Sequence, residues 1–315
     1  MHCSHLIVTL ASPKLLTLGR AKCKNYVFPF ALLSFYRNFA DAMNGNKQIL
    51  LIGDLVSYGK LATQTMAPIL SHLGFSSYTL PTALVSNNFG YGNYALLDTT
   101  DYMRQAFDAW QKLGFNFDAV ATGFISSLRQ AQLVADFCKQ LAAKGTPIFV
   151  DPIMADGGTL YSGMPATMPE SFMPIISLAH VTCPNYTEAC LLTGRKYQPA
   201  GMSRQQAEAM VCDLHAMGPH SVVVTSIPID GKPSVVGFDG TSHQHFLITY
   251  DELPIQFSGT GDIFSAVLIG RMLSGHDLKT ATKMAVDVVY NLIDANKDAQ
   301  DPYKGIIIEQ YLDHI

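Results

Sequence analysis

The sequence predicts an α/β fold: one three-layer domain with a mainly parallel central sheet covered by helices on both faces. Three observations carry this. Short apolar runs at 48–52, 119–123, 147–150, 180–183 and 221–225 read as buried strands. Segments of helical period lie between most of them, so successive strands run in the same direction. Polar and turn-forming residues close each run, at the edge where open α/β sheets bind ligands. With 315 residues, 48% of them hydrophobic, the chain can bury a full core.

Residues 1–46 stand apart. They carry Lys14, Arg20, Lys22, Lys24 and Arg37 against a single acid, Asp41. The whole chain has a net charge of -4, so the remainder holds -8. The apolar run 26–36 contains Pro29 and begins too late for a secretory leader, although Ala40-Asp41-Ala42 faintly resembles a cleavage site. We expect 1–46 to be an extension outside the fold and place the domain at 47–315.

From there the elements follow in order. The strand 48–52 is closed by Gly53-Asp54, and a helix is expected over 59–73, ended by Gly74. A strand over 78–85 runs into a polar loop, 86–92, rich in turn formers. Thr99 or Thr100 caps a helix to Leu113, strand 119–123 follows, and a helix covers 128–143. Strand 147–150 ends at Asp151-Pro152. Strand 180–183 leads to Pro184-Asn185, which opens a helix that Gly194 stops. Helix 203–217 and strand 221–225 come next, then two hairpin strands, 234–238 and 244–248, around Asp239-Gly240. Helices from about 261 and over 277–292, and a short one near the end, complete the chain.

Composition narrows the function. No long run of either charge sign is present, which argues against a nucleic-acid or polyanion partner. No apolar stretch of ~18 residues occurs, so no membrane span is expected. The six cysteines show no CxxC pair and no metal-like spacing, and they read as reduced thiols of a cytoplasmic protein.

Chemistry concentrates in Gly259-Thr260-Gly261-Asp262. Two glycines let the chain bend into a helix N-terminus, whose unpaired N–H groups suit an anion that gains charge. An aspartate there would repel a bound phosphate. It makes sense as a base that takes a proton from a hydroxyl while the amides hold a phosphoryl group. An ordinary helix cap is the alternative. The other polar groups at the expected edge are Asp54, Asp151, Asn185 and the pair Thr225-Ser226, each of which could equally be a cap or turn residue.

The glycine run resembles the signature of the ribokinase-like kinases, and within them the chain is similar to the pyridoxal (pyridoxamine) kinase family. Further matches are Val85-Ser86-Asn87, Gly90-Tyr91, Thr122-Gly123-Phe124, the stretch from Asp151 to Gly157, Pro184-Asn185 with Glu188, and Val224-Thr225-Ser226. The similarity spans about 48–295. It implies MgATP-dependent phosphorylation of the 5'-hydroxymethyl group of a B6 vitamer. In those roles Asp262 is the base and Gly259, Thr260 and Gly261 form the anion hole. Asp151, Asp156 and Glu188 serve Mg²⁺, directly or through water. Asn185, Thr225, Ser226 and Cys183 lie along the ATP, and Asp54, Ser86, Asn87 and Phe124 surround the pyridine ring. A homodimer is also implied. Four positions depart from the family: Asp54 for a small hydroxyl residue, Cys183 for Thr, Phe124 for Tyr and Phe89 for Thr. The aspartate at 54 is similar to the hydroxymethylpyrimidine kinases, which keeps that activity as an alternative. A vitamer-binding protein without catalysis is the other.

Overall fold

The computed structural model describes residues 47–315. The expected extension, 1–46, lies outside the described residues. Nine strands form the central sheet: β1 (Gln48–Tyr58), β2 (Ser76–Asn87), β3 (Leu96–Asp98), β4 (Ala119–Thr122), β5 (Ile148–Val150), β8 (Val181–Thr182), β9 (Ser221–Ile229), β10 (Lys232–Asp239) and β11 (Gln244–Thr249). Their order is β11-β10-β9-β8-β5-β4-β1-β2-β3. The six strands from β9 to β2 pair in parallel, and β3, β10 and β11 are antiparallel additions at the two edges. A two-stranded hairpin, β6 (Ala155–Asp156) with β7 (Thr159–Leu160), stands off the main sheet.

Among the described residues eight helices cover the sheet: α1 (Thr63–His72), α2 (Thr100–Leu113), α3 (Leu128–Ala142), α4 (Met168–Ile176), α5 (Tyr186–Thr193), α6 (Arg204–His215), α7 (Thr260–Leu273) and α8 (Leu278–Ala295). The alternation of β1 shows why both faces are covered. Ile49 and Leu51 pack with α1, α7 and α8, whereas Leu50 and Ile52 pack with α2 to α6. Each such side chain contributes about 1.5–3 kcal/mol by burial, so the apolar strand runs are satisfied only inside three layers.

Several boundaries differ from expectation. Gly53-Asp54 does not close β1. The strand continues to Tyr58 across a register shift between Gly53 and Leu55, and β2 likewise runs on to Asn87. Helix α1 begins at Thr63 rather than 59, because the chain first turns at Ala62 with φ 52°. Strand β9 extends through Thr225 and Ser226 to Ile229. Strand β3, the β6–β7 hairpin and α4 were not anticipated. The tail near the end forms three 3₁₀ turns, Pro302–Lys304, Ile308–Gln310 and Leu312–His314, in place of a helix.

Candidate active site

Helix α7 builds the centre of the site. Gly259 stands at its N-cap with φ 84°, and a side-chain Cβ there would come within 2.8 Å of Leu61 Cδ2. Glycine is therefore required on two counts, conformation and space. Because the helix starts at Thr260, its first N–H groups have no intrahelical acceptor and remain available to an anion. The Thr260 hydroxyl turns back to the Phe257 carbonyl at 3.3 Å, which stiffens the loop.

Asp262 sits in the first turn. Its Oδ2 accepts the backbone N–H of Ala62 at 2.7 Å. Burial pushes its carboxyl up to about 6, and the Ala62 N–H opposes the shift. Two further carboxylates feel its charge. Asp54 is raised to about 7, by burial first and then by Asp262. Asp151 is raised to about 8 by the same two causes in the same order, with the Ser265 hydroxyl donating to its Oδ2 at 2.9 Å as the restraint. Asp151, Asp262, Ser265 and Cys183 line one small cavity of about 20 Å³ below α7. Burial and Asp151 also push the Cys183 thiol well up, so it is an inert neighbour of the site.

Beside this group stands the N-terminus of α5. Asn185 and Glu188 form a capping box: Asn185 Oδ1 accepts the Glu188 N–H at 3.0 Å, and Glu188 Oε2 accepts the Asn185 N–H at 2.9 Å. The same carboxylate reaches the next segment, where Oε1 accepts from Met154 N at 3.0 Å and Ala155 N at 3.4 Å. Asn185 Nδ2 donates to the Ala155 carbonyl at 2.8 Å, and Gly158 N donates to Thr187 Oγ1 at 2.9 Å. Glu188 is 2% exposed, and burial together with Asp151 raises its carboxyl well above the usual range. Asp156 is carried on the exposed turn of the hairpin, its Oδ1 accepting the Gly157 N–H. Among the described residues, no group of three or more His, Cys, Asp or Glu side chains is arranged to hold a metal ion alone. Asp151, Asp156 and Glu188 therefore do not form a ready-made cage.

The remaining expected residues fall around this centre. Asp54 lies inside β1 at the register shift, not after the strand, and is 8% exposed. Thr225 bridges Asn185 in parallel register, its N–H donating to the Pro184 carbonyl, so both stand at the same edge. Ser226 adopts φ 62° and shares a hydrogen bond with Tyr250. Ser86 donates to Asn87 Oδ1 at 2.6 Å, while Asn87 Nδ2 spans the loop to the Asn93 carbonyl at 2.8 Å. These two shape the loop rather than reach freely from it. Phe124 is buried with Val56, Val85 and Ala62, and Phe89 packs on it with ring centroids 5.8 Å apart.

Three contributors escaped sequence reasoning. Ser265 lies one turn beyond Asp262, a spacing that could have revealed it. Ala62 acts through its backbone and left no signal. Tyr161 has its hydroxyl raised by burial and by Glu188, Asp156, Asp151 and Asp262, so it shares the field of all four carboxylates.

Comparison with known proteins supplies the class. A Bacteroides thetaiotaomicron protein, provisionally named a phosphomethylpyrimidine kinase and solved with pyridoxal, superposes with a TM-score of 0.82 at 32% identity, over 86% of this chain and 96% of that one. Pyridoxal kinase from Lactobacillus plantarum gives 0.77 at 25% identity, over 86% and 96%. The fold and the carboxylate-lined edge thus define a small-molecule kinase of the ribokinase-like class. Pyridoxal kinase from Sus scrofa is 25% identical over 276 residues, covering 79% of this chain and 83% of that protein. The family model described as phosphomethylpyrimidine kinase matches residues 69–306. The chain belongs to this family, among its ribokinase-like pyridoxal kinases.

Proposed function

We propose that the protein transfers the γ-phosphoryl group of ATP to the 5'-hydroxymethyl group of a B6 vitamer. The observation that carries the reading is Asp262: a carboxylate at a helix N-terminus, held by one N–H and poised near pH 6. At neutral pH it is mostly ionised, so it can accept the hydroxyl proton as the oxygen attacks phosphorus. The N–H groups of Gly259, Thr260 and Gly261, at the start of α7, would serve the transferring oxygens as they gain charge. Asp54, largely neutral below pH 7, can donate to the ring's polar edge. Asn185, Thr225, Ser226 and Cys183 line the nucleotide side, and Ser86, Asn87 and Phe124 the ring side. The B. thetaiotaomicron neighbour solved with pyridoxal supports this choice of ring.

The carboxylates fit Mg²⁺. Asp151 and Glu188 are buried carboxyl groups without a cationic partner among the described residues; burial holds their protons in the absence of a cation, and hard oxygen donors suit that ion. Asp151 would hold it, with Asp156 and Glu188 acting through water, since both Glu188 oxygens already accept N–H groups. Bound there, the cation would neutralise phosphate oxygens. A cytoplasmic homodimer belongs to the same reading. Exposed Leu96 and Leu97 on edge strand β3 offer an apolar surface for it, and sedimentation checks it.

A second reading is a hydroxymethylpyrimidine kinase, favoured by the description of the family model and by Asp54. Comparing kcat/KM for pyridoxal, pyridoxamine, pyridoxine and hydroxymethylpyrimidine decides between them. The B6 reading expects a vitamer to lead. A lead by the pyrimidine overturns it, and ligand binding without turnover would mark a non-catalytic vitamer-binding protein.

A further inference from the structure

Three consecutive carbonyls near the C-terminus each hold a different part of the site. Pro302 O accepts the N–H of Ser258, which leads into the glycine loop, at 3.2 Å. Tyr303 O accepts Asn88 Nδ2, from the loop after β2, at 3.0 Å. Lys304 O accepts the N–H of Lys60, two residues before Ala62, at 2.7 Å. Side chains reinforce the crossing. Tyr91 donates to Asp301 Oδ2 at 2.6 Å, and its ring meets that of Tyr303 at 5.5 Å. Gly90 lies so close to the Tyr303 ring that a Cβ there would be 2.7 Å from it. Gly305 has φ 76°, and a Cβ on it would sit 2.2 Å from the Lys60 carbonyl. Beyond the crossing, Ile306 and Ile308 are buried in the core beneath α1 and α8, which anchors the segment.

We infer that 301–305 is a positioning strap, and that Tyr303 is its acceptor-specific element. Its backbone ties the glycine loop and the support of Asp262 to the frame, while the Tyr303 ring and Asp301 fix the loop that directly follows Ser86 and Asn87 at the end of β2. The Tyr303 ring sets how well that loop is organised before the acceptor enters, so removing the ring while the backbone ties remain costs acceptor affinity and leaves the phosphoryl-transfer machinery intact. The kinetic part rests on the kinase reading, whereas the loop-ordering part does not.

The test compares wild type, Tyr303→Ala, Tyr303→Phe and Tyr91→Phe by amide hydrogen exchange over 86–93 and by steady-state kinetics. Tyr303→Ala should speed exchange of the loop amides about tenfold or more. It should raise the acceptor KM roughly 5–20-fold, with kcat and the ATP KM within about twofold. Tyr303→Phe should restore both, because the ring makes the contact, and Tyr91→Phe should fall between. Unchanged loop exchange in Tyr303→Ala overturns the inference. So does a uniform loss of kcat, both KM values and Tm, which would make the segment a plain stabilising element. If wild type phosphorylates no B6 vitamer, the functional reading falls, and the exchange measurement still decides the strap.

Discussion

The backbone N–H of Ala62 donates to Oδ2 of Asp262 at 2.7 Å, tying the start of α1 to the start of α7 across 200 residues of sequence. To present that N–H, Ala62 takes φ 52° and ψ -136°, a conformation that side chains with a Cβ disfavour by about 1–3 kcal/mol. Ala62→Gly should relieve this cost and keep the hydrogen bond. We expect Tm to rise by about 1–4 °C, with kcat within a few-fold of wild type. A clear fall in Tm would show that the Ala62 methyl group, packed with Val56 and Phe124, outweighs the backbone term.

Asp54 links stability to pH. Its folded pKa of about 7 exceeds the ordinary 3.8, so the folded chain holds this proton more tightly than the unfolded chain does. Ionising it therefore costs stability. The cost is absent below about pH 4, grows as pH climbs towards 7 and is constant above, with an upper bound of roughly 4 kcal/mol. Asp54→Asn should match wild type in Tm near pH 4 and exceed it by several degrees at pH 8. Equal Tm values at both pH values would contradict the burial assigned to this group.

Glu188 carries two roles that one substitution separates. Glu188→Gln replaces an acceptor oxygen by an NH₂ group facing a buried N–H of Met154, Ala155 or Asn185. A donor left unpaired costs about 1–3 kcal/mol, and we expect Tm to drop by about 2–6 °C. The half-saturating Mg²⁺ should also rise. A lowered Tm with an unchanged Mg²⁺ titration would reduce Glu188 to a clamp on the hairpin.

The segment 1–46 lies outside the described residues, and its dispensability is a proposal from sequence. A chain beginning at Met43 should unfold within about 5 °C of the full chain and phosphorylate its acceptor as fast. If 26–36 packed three or four large side chains on the domain, several kcal/mol would be lost, at ~1.5–3 each. A larger drop in Tm, or loss of a dimer, would place the segment in the fold.

The parallel sheet was legible because its strands are buried on both faces: runs such as Ile148–Val150 are wholly apolar and cannot serve elsewhere. Asp262 was legible because glycines on either side of Thr260 make an aspartate at a helix start conspicuous. The continuation of β1 was hidden, since Gly53-Asp54 reads as a turn and the register shift that accommodates it is a pairing property. Helix α4 was masked by Pro169 and Pro174, although the first sits in the opening turn, where a missing N–H costs little. The β6–β7 hairpin has two residues per strand and is held by Asn185, Thr187 and Glu188 from 29 to 33 residues away, so no local pattern announces it. The segment 301–305 makes three of its ties through carbonyls, which every residue possesses, and composition could not single it out.

We propose that Asp262 is the base for phosphoryl transfer to a B6 hydroxymethyl group. Its most direct test is the initial rate of vitamer 5'-phosphate formation with MgATP, wild type beside Asp262→Asn. We expect wild-type turnover, a fall in kcat of roughly 10²–10⁴ in the variant, and an ATP KM nearly unchanged. A variant within a few-fold of wild type would contradict the assignment of the base, and a wild-type protein that forms no vitamer phosphate would contradict the function.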